Sequence, residues 1–422
     1  MAVAFGPKLG THYVGVASLE VRSDDVLHST SNIRLSIPTL FYERLSLAKV
    51  LLLTARYEGG RLLVDRLSGG FAGGRIEARG DMNLLSTNES TETLHFHAER
   101  LQLQGLVALA FPEYTNFFSG ELSYHGRLRA GDKIVMLGSA RLRDAQAYNL
   151  PIEDAHGNLR IAFTRAGVLH IAESPIVRGI ALGGRLDAKL QIRGGTRYEF
   201  DSVIRVDDGK LDELSRSLGF SKIVGTGKFD ADARIHSDDF FDASALSGPM
   251  HISFEEADAQ SAPLLSDLAR LAPLTQIAST EIKNGIMDAQ LGQGQVRIPY
   301  LLLNSDAFVI IAAGSGGLSS KRLDFEAIVQ NGGGLDQQIV QAASQKVIAA
   351  ALPQLILLTE LNNLIRNRTI YFHVGGTTTH PSIQPKPAPT LARGFLQNIR
   401  RQLIVIPTIT ATTSTKTTSI AQ

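Results

Sequence analysis

A mostly β chain, built as an elongated array of short strands forming a twisted sheet, is what this sequence predicts. Three observations carry the expectation. A unit of roughly 105–110 residues recurs, as arrays require. Apolar and polar residues alternate inside the unit, and glycine-rich turns separate the alternating runs.

The repeat is clearest at Gly73–Arg79 and Gly183–Lys189, where each residue of the second copy equals or closely replaces its counterpart. Glu58–Val64 precedes the first copy and Arg165–Ile171 the second. The match continues from Ser119-Gly120 to Val224-Gly225, and a partial third copy opens at Asn284-Gly285 and runs through Leu301–Gly314 to Leu323–Val329. The organisation read from this is 1–50, N-terminal strands of an array cut at its start; 51–160, repeat 1; and 161–280, repeat 2. Residues 281–385 form a partial third repeat with a helical insert at 335–365 and a closing strand. Residues 386–422 form a basic amphipathic segment with a Thr-rich disordered tail.

Leu94–Ala98, Arg185–Arg193 and Lys228–Ile235 alternate with a period of two, which puts one face of a sheet in apolar surroundings and the other in water. Clusters such as Ser237–Asp239 and Arg193–Thr196 supply hairpin turns. The 39 glycines suit many short strands. Helix is expected at Leu211–Leu218, at Leu264–Leu271 and, as the one long element, at Leu335–Leu352. There Ile339, Val340, Ala343, Val347 and Ala350 share a face. Pro353 ends or kinks that helix before Leu355–Ile365, and the pair caps one end of the sheet. Gly332–Gly334 serves as the hinge before it.

Cysteine is absent, so disulfides and thiolate metal sites are excluded. No stretch reaches the 18 or so apolar residues that span a bilayer. The start of the chain lacks the features of a signal peptide. The net charge of +1 hides an asymmetry: Leu361–Gln422 holds seven basic residues and no acidic one, which leaves −6 on residues 1–360. A basic end on an acidic body suits an anionic membrane surface. Leu391, Phe395, Ile399 and Leu403 recur opposite Arg393, Arg400 and Arg401, the pattern of a basic amphipathic helix; packing on the end of the sheet explains the same pattern. The acidic strand-rich body argues against nucleic acid.

No residue set announces catalysis. His95 and His97 share a strand face, a two-ligand edge that nothing nearby in sequence completes. Asp238, Asp239 and Asp242 around Phe240-Phe241 read as solvated turn acids. Gly225-Thr226-Gly227 and Gly292-Gln293-Gly294 lack phosphate-loop spacing, and no Ser, His and Asp set sits in a nucleophile elbow. The expectation is a chain that is not an enzyme, with no catalytic residue, cofactor or resident metal.

The order of these pieces resembles the AsmA-like family of bacterial envelope proteins, which includes TamB-type members. Gly314–Phe325 is similar to that family's glycine-rich strand followed by a Leu-Asp-Phe strand, and Ile370–Ile383 to its closing strand. The resemblance runs from about Leu51 to Pro385. It implies a long β-groove, apolar inside, that holds phospholipid acyl chains, and it implies a periplasmic place in the cell envelope with possible envelope protein partners. Family members usually begin with a transmembrane helix, absent here, so anchoring falls to a segment outside this chain. The residues themselves support an open apolar face independently, because one long helix cannot cover some 300 residues of strand. Phe308, Ile310 and Ala312, or their alternates Val309, Ile311 and Ala313, are the expected groove lining. Two rivals stand beside lipid transfer: a scaffold or assembly factor with a filled interior, and a β-solenoid enzyme acting on polysaccharide. The second fits poorly with a unit near 105 residues, since one solenoid coil takes about 20–30.

Overall fold

The computed structural model describes residues 13–25, 30–42, 45–83, 93–110, 112–147, 149–165, 167–195, 197–217, 226–258, 281–306, 308–331 and 369–386. Most of them belong to one sheet of 20 strands. The first six are β1 (Tyr13–Asp25), β2 (Thr30–Tyr42), β3 (Leu45–Glu58), β4 (Arg61–Phe71), β5 (Gly74–Asn83) and β6 (Leu94–Gln102). A helix, α1 (Leu103–Ala110), and a 3-10 turn (Pro112–Phe117) lead to β7 (Phe118–Ala130), β8 (Lys133–Ala147) and β9 (Leu150–Thr164). Then come β10 (Leu169–Ala181), β11 (Gly184–Arg193), β12 (Glu199–Lys210) and the helix α2 (Leu211–Ser217). The chain continues through β13 (Lys228–Ser237), β14 (Leu246–Asp258), β15 (Glu281–Gly292), β16 (Gln295–Ser305) and β17 (Phe308–Gly317). It closes with β18 (Leu323–Asn331), β19 (Thr369–Gly376) and β20 (Pro381–Lys386).

Every strand pairs antiparallel with the strand before it and the strand after it. The result is an open meander with β1 and β20 at its edges. The alternating strands expected at Leu94–Ala98, Arg185–Arg193 and Lys228–Ile235 fall in β6, β11 and β13. The boundary read at 160 lies inside β9, so strand pairing crosses it without a break.

The two full copies repeat in conformation as well as in sequence. Ala72-Gly73 and Leu182-Gly183 turn their hairpins with positive φ at both positions, 45° and 79° in the first and 54° and 70° in the second. Such turns match the twist of the flanking strands, and the first position tolerates a side chain only at a cost. In each copy the residue at the turn then accepts a backbone hydrogen bond from a strand end: Gln102 N to Ala72 O at 2.6 Å, and Lys210 N to Leu182 O at 2.8 Å. A helix follows at once in both, α1 after β6 and α2 after β12. The third copy is anchored differently. Asn284-Gly285 lies inside β15, and the turn of matching geometry is Gln293-Gly294, with φ of 53° and 69°.

Among the expected helices, Leu211–Leu218 is present as α2. The segments 264–271, 335–352 and 355–365, the hinge at 332–334 and the basic segment carrying Arg393, Arg400 and Arg401 lie outside the described residues. The helix α1 was not anticipated. Its run Leu-Gln-Gly-Leu-Val-Ala-Leu-Ala has Gln104 as its one polar side chain, too little to mark a polar face or a period.

Aromatic rings show that the sheet bends. Phe118 opens β7 and Phe240 follows β13, six strands later, a distance of about 29 Å in a flat sheet. Their ring centroids are nevertheless 6.1 Å apart, and Tyr114 stacks on Phe241 at 4.1 Å. Phe240 also meets Phe200 of β12 at 5.1 Å. Phe200 points to the apolar side of the sheet, so the bend is toward that side.

Candidate functional site

The sequence alternates strand by strand, and the pairing register aligns those alternations into rows that cross the sheet. One row runs through directly opposed residues from β6 to β20: Leu101, Leu122, Leu142, Ala155, Gly179, Leu186, Val206, Ala231, Ile252, Met287, Leu301, Ala312, Ala327, Phe372 and Pro385. No member carries a polar side chain. At about 4.8 Å per strand it extends roughly 65–70 Å. A second row on the same face runs from β1 to β14, from Val21, Ile33, Ala55 and Val64 through Leu94, Leu128 and Met136 to Ile192, Phe200, Ser237 and Leu246, apolar except at Ser237. The two overlap from β6 to β14.

The adjacent residue in each strand faces the other way, and there the row is charged. From β7 to β16 it reads Ser123, Arg141, His156, Arg178, Asp187, Arg205, Asp232, His251, Asp288, Tyr300. Cross-strand ion pairs lace this face: Arg141 reaches both carboxylate oxygens of Asp154 at 2.8 and 2.7 Å, and His251 meets Asp288 at 2.7 Å. Exposed pairs of this kind contribute little each, about 0–1 kcal/mol. Their consequence is that the sheet has one face that water satisfies and one that it does not. Asp207 is the most enclosed of these acids. Burial pulls its carboxyl upward, but hydrogen bonds from Arg205 (2.7 Å) and Arg185 (3.0 Å) outweigh that and hold it below the ordinary value.

Between the two apolar rows lies a line of smaller residues and a cleft of about 1250 Å³. Eight consecutive strands, β7 to β14, each give three successive residues to its wall. The middle residues are Gly126, Gly138, Leu159, Ser174, Leu190, Ser202, Ile235 and Gly248, all in the apolar register. Five of the eight are Gly or Ser, which is why space exists there. The wall is mostly apolar surface. Gly126 and Gly138 oppose one another, and the Tyr124 hydroxyl lies over both; a Cβ on either would come within 2.5 and 2.8 Å of it. Tyr124 is 5% exposed and its hydroxyl is buried without a hydrogen-bond partner. Burial pushes its ionisation upward.

Phe308, Ile310 and Ala312, expected to line a groove, lie outside the cleft but on the same apolar face of the sheet. Phe308 and Ile310 are buried in the main apolar cluster with Val329 and Phe372, and Ala312 belongs to the long apolar row. Their alternates Val309, Ile311 and Ala313 are buried as well, so β17 is covered on both faces. Alternation could not reveal this, because Phe308–Ala313 is apolar without interruption. The cleft residues escaped sequence reading for the converse reason: a Gly or Ser in a strand has no visible meaning until its neighbours across the sheet are known.

The acids around Phe240-Phe241 make a turn. Asp242 accepts from the backbone N–H and hydroxyl of Ser244 at 2.8 and 2.7 Å, and Asp239 accepts from Phe241 N at 3.2 Å. Gly292 and Gly294 flank a hairpin turn rather than a phosphate loop. Among the described residues no group of three or more His, Cys, Asp or Glu converges as a metal cluster, and no helix is long and apolar enough to cross a membrane. His95 and His97 share a face of β6, yet the side chain that meets His97 comes from the next strand, His125. Compared with family models, curated proteins and solved structures, the chain matches none of them.

Proposed function

We propose that this protein is a non-enzymatic lipid-transfer protein of the bacterial cell envelope, with phospholipid acyl chains lying along the apolar face of its sheet. The observation that carries the reading is the uninterrupted apolar row across 15 strands, backed one residue away, from β7 to β16, by a polar and mostly charged row. An acyl chain sliding along a trough needs apolar continuity, and the row supplies it over about 65–70 Å. The cleft exceeds the 300–1,000 Å³ or so of ordinary small-molecule pockets. Each methylene removed from water on it contributes about 0.8 kcal/mol, while head groups stay hydrated beside the charged face. The mechanism is passive and needs no cofactor. The basic residues Arg393, Arg400 and Arg401 would hold the chain's end at an anionic membrane surface. A periplasmic place, anchoring through a segment beyond this chain and envelope protein partners belong to the same proposal.

Burial of β17 on both faces favours a second reading for the C-terminal third, a scaffold or assembly factor with a filled interior. One experiment separates the two. The chain has no Trp, so Leu190→Trp places a single fluorophore in the cleft and Arg178→Trp places one on the charged face, outside the cleft wall. The purified variants are mixed with phospholipid carrying brominated acyl chains, and native mass spectrometry counts bound lipid. Quenching at 190 and not at 178, with several lipids per chain, is the expected result. A stable, lipid-free chain with equal quenching at both sites would refute transfer and leave the scaffold. Phe308 and Ile310 are unsuitable for such tests, since a carboxylate there would unfold the core.

A further inference from the structure

We propose that His97 and His125 form a surface site for a divalent transition-metal ion of the zinc or nickel type, with Glu99 positioning the ring of His97. The two histidines are directly opposed across β6 and β7. Their Nδ1 atoms are 3.3 Å apart, and the rings meet edge to face with centroids at 5.5 Å. Two imidazole nitrogens bound at about 2.0–2.1 Å to one tetrahedral ion are themselves separated by roughly 3.3–3.4 Å. The pair has the nitrogen spacing that such an ion needs, and a turn of each ring about its side-chain bonds aims both lone pairs at a point off the Nδ1–Nδ1 line.

The second observation is the far side of His97. Its Nε2 lies 3.0 Å from a carboxylate oxygen of Glu99. A carboxylate there holds the proton on Nε2 and leaves the Nδ1 lone pair facing His125, the arrangement in which ligating histidines are normally fixed. Without metal, His125 donates its Nδ1 proton to that lone pair. With metal, the proton of His125 moves to Nε2 and both Nδ1 atoms bind. Two of four tetrahedral positions stay open, for water or an external ligand. The bond formed ties β6 to β7 beside the cleft, whose wall includes His125. His95 stands apart from this pair: it is opposed by Arg127, a cation, and is the natural control.

The test is calorimetric titration of Zn²⁺, and separately Ni²⁺, into the full chain. Wild type is expected to bind one ion in a saturable step. His97→Ala and His125→Ala each weaken it at least tenfold, Glu99→Gln weakens it by about tenfold through the lost orientation, and His95→Ala leaves it unchanged. His125 is exposed and His97 half-buried, and the far-UV spectrum of each variant, recorded alongside, is expected to match wild type. Absence of saturable binding, binding retained in His125→Ala, or an equal loss in His95→Ala would overturn the site.

Discussion

Replacing Gly209 by Ala tests how tightly the apolar face is packed. Gly209 on β12 is directly opposed to Phe229 on β13, and Phe229 is only 2% exposed. A Cβ built on Gly209 lies 2.5 Å from both Cε1 and Cζ of that ring. Ordinary carbon contacts are about 3.5–4.0 Å, so the methyl enters the ring by about 1 Å or more. The ring is enclosed and cannot swing away. Overpacking of this kind costs about 1–3 kcal/mol, and Phe229→Ala alone costs about 3–5 kcal/mol through the cavity it leaves. In the double variant the new methyl occupies space that the ring vacated, and losing a glycine also restricts the unfolded chain. The cost of Gly209→Ala should therefore fall to near zero, giving a coupling of at least about 1 kcal/mol. Urea unfolding of the four proteins, followed by far-UV circular dichroism, measures it. If Gly209→Ala costs the same with and without the ring, the contact does not set the packing and the account is wrong.

Other outcomes follow from the same features. Phe240→Ala and Phe241→Ala remove rings that join β7 to β13, so amide exchange should rise at residues 112–118, with about 0.5–1.5 kcal/mol lost per ring pair; unchanged exchange would mean the bend is held elsewhere. In its charged form His236 donates from both ring nitrogens to the carboxylates of Asp201 (2.9 Å) and Asp238 (3.0 Å), which raises its ionisation above the ordinary histidine value. A raised value means that the stabilisation is complete below the unfolded value and is lost as pH rises through the folded one. The stability advantage of wild type over His236→Gln should thus be larger at about pH 6 than at about pH 8.5, and a reversed trend would exclude the pairing. Asp207→Asn leaves Arg185 and Arg205 facing a neutral amide and should destabilise by about 1–3 kcal/mol. Because the Asp207 ionisation is lowered, that stabilisation is present above the unfolded value of about 3.9 and disappears as pH falls below it; denaturant midpoints at about pH 7 and pH 2.5 test both statements.

Strand character was legible because period-two alternation in segments such as Arg185–Arg193 survives locally whatever the rest of the chain does. The repeat was legible because equal turns demand equal residues, as at Ala72-Gly73 and Leu182-Gly183. What no local pattern encodes is which residues face each other across strands. The register shifts between Ala98 and Leu101 and between Ser174 and Val177 re-phase the pairing; Pro175 marks the second, as proline inside a strand does, but nothing in Ala98–Leu101 announces the first. The long apolar row and the cleft both depend on those shifts. His125 stayed hidden as a partner of His97 for the same reason: 28 residues of chain separate two side chains that one strand pairing brings together. The near absence of polar residues in Leu103–Ala110 hid α1, and the uniform apolarity of Phe308–Ala313 hid the double burial of β17.

A pure meander has a kinetic and evolutionary side. Each strand's hydrogen-bonding neighbours are also its neighbours in the chain, so ordering can begin at any hairpin and spread outward one strand at a time, as in one-dimensional repeat systems. A whole six-strand unit can then be added or removed without redesigning the rest, which makes reach along the sheet a quantity that duplication can tune. The Phe118–Phe240 contact breaks that locality. It ties two places more than a hundred residues apart in the chain, so the stretch from β7 to β13 should melt as one body while the flanking strands fray singly.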